Sequence, residues 1–314
     1  MRVLLVDVDS KIPNLALHKI KAFHRAQGDE IHMQGGNYPI PLLLDNYSKI
    51  YVSCVFSWNK LQCDEWEGLA EIGGSGYSLE KVLPPEIEVM KPKINLGFVT
   101  RGCIRKCSFC VVPQKEGKIK EVADIYDVWD GKAKAITLMD NNILALPKTF
   151  FKICKQLKKE NLEVDFNQGL DHRLLTDEIC QELFSLKIRP EAGNKLRFAF
   201  DDVAYEKTVL KALKILKKNG LKNWQTRWYV YVGVKDTLET VLHRVNLLRD
   251  WKQAAFVMRD RDERVQKCKE FMQVYRWSGD ISVFSCVTFP EFVQYCKEHY
   301  GPLSRLSHSN LLNA

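Results

Sequence analysis

At 314 residues, 46% hydrophobic and 27% charged, the chain has the composition of a globular protein large enough for one or two domains. No apolar run approaches the ~20 residues of a membrane span, and the opening MRVLLVDVDSK reaches Asp7 and Asp9 too soon for a secretory leader, so a cytoplasmic protein with no membrane partner is expected. Residues 1–92 hold nine Lys or Arg against twelve Asp or Glu, whereas 93–314 carry a net charge of +11, which favours an anionic substrate or a nucleic acid for the larger part.

RVLLVDV (2–8) predicts a buried strand, LALHKIKAFHRAQG (15–28) a helix stopped by Gly28, and EIHMQG (30–35) and IYVSCVFS (50–57) two further strands. IGGSGYS (72–78) is a glycine-rich turn. Strand, helix, strand, strand and turn describe a small open α/β sheet. Asp7 and Asp9 at the first strand's end are site candidates, because such edges take ligands in open sheets. His18 and His24 do not share a helix face well and read as surface or boundary residues. PPEIEVMKP (84–92) reads as an extended linker, since its prolines discourage a helix.

From residue 94 strands and helices alternate. The strands are INLGFVT (94–100), AITLMD (135–140), VDFNQG (164–169), LRFAFD (196–201), RWYVYVGV (227–234) and AAFVMRD (254–260). Helical patterns cover 146–162, 176–187, 203–220 and 236–252, with Thr176 capping the second and Asp236 with Glu239 forming a capping box at the fourth. The lysines of KALKILKK (211–218) read as the wet side of a helix. Cys154 and Cys180 fall in apolar helix patterns and read as buried thiols; Met139 and Met258 read as core. Beyond 262 the pattern is helical over 264–277 and 290–300, with Tyr275, Trp277, Phe284 and Phe289 packing it down, and the polar end 304–314 frays. Three parts are expected: 1–92, 93–261 and 262–314.

Ten cysteines without a leader favour metal over disulfides. Three of them, Cys103, Cys107 and Cys110, form C-x3-C-x2-C in TRGCIRKCSFC (100–110), on a loop leaving a predicted strand. Three thiolates can hold three irons of a cubane and leave the fourth open. A closed zinc site takes four ligands, as does an all-cysteine electron-transfer cluster. A zinc site that borrows Cys54, Cys63 or a distant His stays open on spacing alone.

With Phe109 just before the third cysteine, the motif resembles that of the radical SAM superfamily. The resemblance implies a 4Fe-4S cluster on Cys103, Cys107 and Cys110, S-adenosyl-L-methionine (SAM) on the open iron, and an external one-electron donor of flavodoxin or ferredoxin type. Reductive cleavage of SAM would then give a 5′-deoxyadenosyl radical, with the protein supplying position and shelter. It also implies a partial (β/α)6 TIM-like barrel. The first part is similar to a reduced cobalamin-binding, Rossmann-like domain. It is short for one and lacks D-x-H-x-x-G, which argues against cobalamin.

Functional groups of such barrels gather where strands end. The resemblance places Asp140 and Asn141 at the SAM amino group, Gln168 and Arg173 at its ribose or carboxylate, and Gly233 against its adenine. Arg101, Arg105 and Lys106 flank the cysteines and favour a reduced cluster. The reaction implied is methyl transfer or another C–H functionalisation of a substrate the sequence does not name. A second reading is an RNA-modifying methylthiotransferase, which GCIRKCSFCVVPQKEG (102–117) also resembles; that family carries a second cluster on three N-terminal cysteines, and residues 1–92 hold only Cys54 and Cys63. A third is a non-enzymatic, metal-stabilised nucleic-acid-binding protein, whose binding would depend strongly on salt.

Overall fold

A computed structural model describes residues 1–36, 44–189 and 195–300; the predicted fraying of 304–314 lies outside them. The chain is α/β with parallel sheets and divides into two compact units, Met1–Asp165 and the remainder from Phe166. Among the described residues no helix is long and apolar enough to cross a membrane.

The first unit opens on four parallel strands, β1 (Arg2–Asp7), β2 (Glu30–Gly35), β3 (Lys49–Ser53) and β4 (Glu71–Gly73), in the order β2-β1-β3-β4. Val3 to Val6 of β1 are all buried, as a strand covered on both faces requires. Side chains alternate between two cores. Leu4, Val6, Ile50 and Val52 join Cys54, Cys63, Trp66 and Ile72. Val3, Leu5 and Tyr51 join Leu17, Ile20 and Ile87.

Three expectations for this region are corrected. The glycine stretch supplies a fourth strand before it turns. Gly74 lies so close to Cys54 that a Cβ there would sit 2.1 Å from the Cys54 carbonyl oxygen, so this glycine serves close backbone packing. His24 is only 2% exposed. It stands seven residues after Leu17 on the buried face of the helix Leu15–Ala26, where Nδ1 lies 2.7 Å from Asp29 and Nε2 3.1 Å from the Tyr51 hydroxyl. Pro85–Glu88 is one turn of helix, because proline at the first helical position loses only an N–H that would have had no partner.

Next come β5 (Leu96–Gly97), β6 (Thr100–Arg101), β7 (Lys120–Glu121), β8 (Ala135–Leu138) and β9 (Glu163–Phe166). β8 lies between β9 and β5 and runs parallel to β5, while β6 and β7 form a separate antiparallel pair. The single strand expected over 94–100 is thus two short ones. After Gly97 the amides of Val99 and Thr100 are taken by the Asp140 side chain instead of the sheet. The helix Pro147–Lys159 buries Phe150, Ile153, Cys154 and Leu157.

In the second unit β10 (Lys187–Ile188) precedes three parallel strands, β11 (Leu196–Ala199), β12 (Thr226–Val232) and β13 (Ala254–Arg259), in that order. Thr226, Trp228, Val230 and Val232 are buried in strict alternation along β12. On β13 the same alternation buries Val257 and turns Met258 outward, 45% exposed, which corrects its expected place in the core. Thr176 caps the helix Asp177–Ser185, and Cys180 is buried in it. Glu206–Lys218 buries Val209, Ala212, Leu213 and Leu216 and leaves its lysines in water.

The capping box of the helix Leu238–Asp250 is made by Thr237 and Thr240, one residue later than expected, because Asp236 is engaged with Arg244 and the Gly233 amide. The C-terminal helical region breaks at Cys268 into Glu263–Lys267 and Lys269–Gly279. Trp277 packs edge-on to Phe284 at 4.9 Å and against Phe289 at 5.4 Å.

Candidate metal centre

β6 delivers the chain into the cysteine loop. At Gly102 the backbone turns left-handed (φ +89°), and a Cβ would lie 2.5 Å from the Lys118 carbonyl oxygen; glycine alone fits. The Cys103 amide donates to the Gly117 carbonyl at 3.2 Å, and the Cys110 amide to that of Cys107 at 3.1 Å. Cys103, Cys107 and Cys110 are each partly exposed and outside any disulfide. Ile104, Phe109 and Val111 expose large apolar side chains beside them.

Glu116 holds the stem of this loop. Its carboxylate accepts from Arg101 Nη2 at 2.8 Å, the Gly102 amide at 3.0 Å and Asn141 Nδ2 at 2.7 Å. Arg101 is also shared with Glu88 and lies over the Phe98 ring, its Cζ 4.6 Å from the centroid.

Three successive residues after β8 meet the cysteine loop at its entry, its outgoing stem and its first cysteine. Asp140 Oδ1 accepts from the Val99 amide at 3.2 Å, the Thr100 hydroxyl at 2.6 Å and the Thr100 amide. Burial pushes the Asp140 carboxyl up to about 6, and these donors only partly offset it. Asn141 reaches Glu116. Asn142 donates through Nδ2 to the Cys103 sulfur at 3.5 Å, and the Arg105 amide approaches the same sulfur at 3.3 Å.

The donor set suits a thiolate-bound iron–sulfur cluster. It offers three partly exposed cysteines outside any disulfide on one loop, and the Cys103 sulfur already accepts two N–H groups. Among the described residues no three Cys, His, Asp or Glu side chains are drawn together as a metal would draw them. The loop brings the cysteines into one neighbourhood without converging their sulfurs.

The other proposed SAM contacts stand in the second unit. Gln168 is exposed, its Nε2 3.3 Å from Asn167 Oδ1. Arg173 pairs with Asp171 at 2.7 Å and lies over the Tyr205 ring, its Cζ 4.9 Å from the centroid. The Gly233 amide donates to Asp236 at 2.8 Å, and a Cβ on Gly233 would fall 2.8 Å from the Tyr231 ring. The lack of a side chain there makes room for Tyr231, whose hydroxyl bonds Asp260. Burial and that carboxylate push the Tyr231 phenol upward. Burial also raises the Asp201 carboxyl to about 6.

Glu116 and Arg244 escaped sequence reasoning. Arg244 is fully buried and donates to the carbonyls of Phe200, Asp201, Tyr231 and Thr240 and to Asp236 Oδ1 at 2.5 Å. A signal existed: Arg244 stands among Val241, Val245 and Leu248 on the buried stripe of its helix. Glu116 carried none, because acids in glycine- and lysine-rich loops are common.

No family model matches the chain. Over 89 residues it is 34% identical to the tRNA-2-methylthio-N(6)-dimethylallyladenosine synthase of Flavobacterium johnsoniae. That relative is a radical SAM enzyme. The match covers 24% of this chain and only 18% of the relative, so the likeness is local.

Proposed function

We propose that the chain is a radical SAM enzyme that acts by methyl transfer or another C–H functionalisation. The observation that carries the reading is the C-x3-C-x2-C loop with Phe109, held by Glu116 and by Asp140 to Asn142 from a neighbouring strand end. Cys103, Cys107 and Cys110 would hold a 4Fe-4S cluster. When bound, the cluster supplies the electron for reductive cleavage of SAM to a 5′-deoxyadenosyl radical, replenished by a flavodoxin or ferredoxin type donor. Glu116 fixes the loop stem, and Ile104, Phe109 and Val111 give the loop an exposed apolar surface. Asn141, Gln168, Arg173 and Gly233 are assigned to SAM by position. Asp140 turns Oδ1 to the loop backbone and is assigned to shaping the site together with SAM binding. The partial (β/α)6 barrel over 93–261, flanked by 1–92 and 262–314, and a cytoplasmic setting belong to the same proposal.

The partial relative favours a second reading, an RNA-modifying methylthiotransferase. Cys54 and Cys63 weigh against it. Both are fully buried in the core of the first sheet, and burial lifts the Cys54 thiol to about 12 and raises that of Cys63, which suits packing rather than metal binding. Cobalamin is left out of the proposal because residues 1–92 lack D-x-H-x-x-G.

Anaerobic reconstitution tests the reading. About four irons per chain, with dithionite-dependent cleavage of SAM, are expected, and Cys107→Ser should abolish the cleavage. About eight irons would favour the methylthiotransferase. Zinc alone, with salt-sensitive nucleic-acid binding, would overturn both in favour of a non-enzymatic binding protein.

A further inference from the structure

The Cys103 sulfur is met by a side chain from outside its own loop. Asn142 is 2% exposed and presents Nδ2 to that sulfur at 3.5 Å. Its neighbours fix where this amide comes from. Asp140 is bonded to Thr100 and Asn141 to Glu116, so the end of β8 is laced to the stem of the loop on both sides of the contact. The Asn142 carbonyl accepts from the Ala145 amide at 3.0 Å and closes the turn that follows. A primary amide does not titrate, so the donor keeps its N–H whatever the pH. Buried, it competes with water less than a donor on the exposed loop would.

We propose that Asn142 is a positioning residue that sets the reduction potential of the cluster by donating an N–H to the Cys103 sulfur. The inference rests on the radical SAM reading and deepens it. A hydrogen bond to a ligating sulfur withdraws electron density and stabilises the more negative, reduced state, so the potential rises. Without the donor the cluster is harder to reduce. Asp140 and Asn141 act on the loop through Thr100 and Glu116, whereas Asn142 alone of the three touches a ligand atom.

The test compares wild type, Asn142→Leu and Asn142→Ala, each reconstituted anaerobically and titrated with a redox-buffered reductant while the reduced cluster is followed by electron paramagnetic resonance. Both variants lack the N–H and add no charge, and leucine is nearly isosteric. With iron content equal to wild type, the ratio of reduced to oxidised cluster at a fixed poise should fall on the order of tenfold, about 59 mV for one electron. Equal potentials at equal iron content would overturn the role of Asn142 and leave the radical SAM reading standing. Wild-type protein that takes up no iron would overturn both. Should the leucine variant fail to load, the alanine variant decides. If neither loads while wild type does, Asn142 builds the loop rather than tunes the cluster, and the inference fails.

Discussion

Asp140 shows why a strand-end acid is hard to assign from sequence. Its type and position suggested an acceptor for the SAM amino group, but its Oδ1 collects the amides and the hydroxyl of the chain entering the cysteine loop. Which way a polar group faces depends on a partner some 40 residues away, and periodicity carries no such information. Burial raises its carboxyl from 3.8 to about 6. The folded state therefore holds this proton more tightly than the unfolded one, and the contribution to stability is full below pH ~4 and is lost as pH rises through ~6. By the shift alone the loss is about 3 kcal/mol. Asp140→Asn keeps a carbonyl oxygen for the same three donors, so its unfolding free energy minus that of wild type should increase between pH 4 and pH 7, as read by urea denaturation. Gly102 makes a second case. Gly102→Ala pushes a methyl onto the Lys118 carbonyl at a left-handed φ; a loss of roughly 2 kcal/mol is expected, with iron uptake falling in parallel.

Between elements, the alternation of strands and helices was legible because apolar periodicity is local, and β12 and its neighbours lie where the pattern put them. Boundaries were lost wherever a side chain competed with the backbone. Asp140 splits β5 from β6, and Asp236 leaves its expected cap to serve Arg244. Arg244 itself ties the ends of β11 and β12 to the helix Leu238–Asp250 through four carbonyls and one carboxylate. Arg244→Met should cost about 3–5 kcal/mol, since it leaves the half-buried Asp236 carboxylate without its cation and several backbone carbonyls without their donor. Arg244→Lys should recover only part of this, because an ammonium cannot reproduce the planar fork. Shifts of the urea midpoint measure both.

For the molecule as a whole, composition located the excess of positive charge in 93–314 but named no partner for it. The motif located a candidate metal loop but not its supports: Glu116 is invisible in sequence, and Asn142 carries no signal there that sets it apart from Asp140 and Asn141. The first sheet was legible as α/β, yet its strand-end loops fill with their own contacts. Asp9 bonds the chain after β3, and Gly74 abuts Cys54. Hydroxocobalamin mixed with the purified protein should therefore elute separately on gel filtration, with no absorbance carried in the protein peak.

The ten cysteines divide by accessibility: Cys54, Cys63, Cys154, Cys180 and Cys296 are buried, and Cys103, Cys107, Cys110, Cys268 and Cys286 reach solvent. Iodoacetamide applied to the native, metal-free chain should then alkylate the second set alone. After loading with iron, only Cys268 and Cys286 should still react. Peptide mass mapping thereby becomes a footprint of occupancy, one that needs neither colour nor turnover to be read.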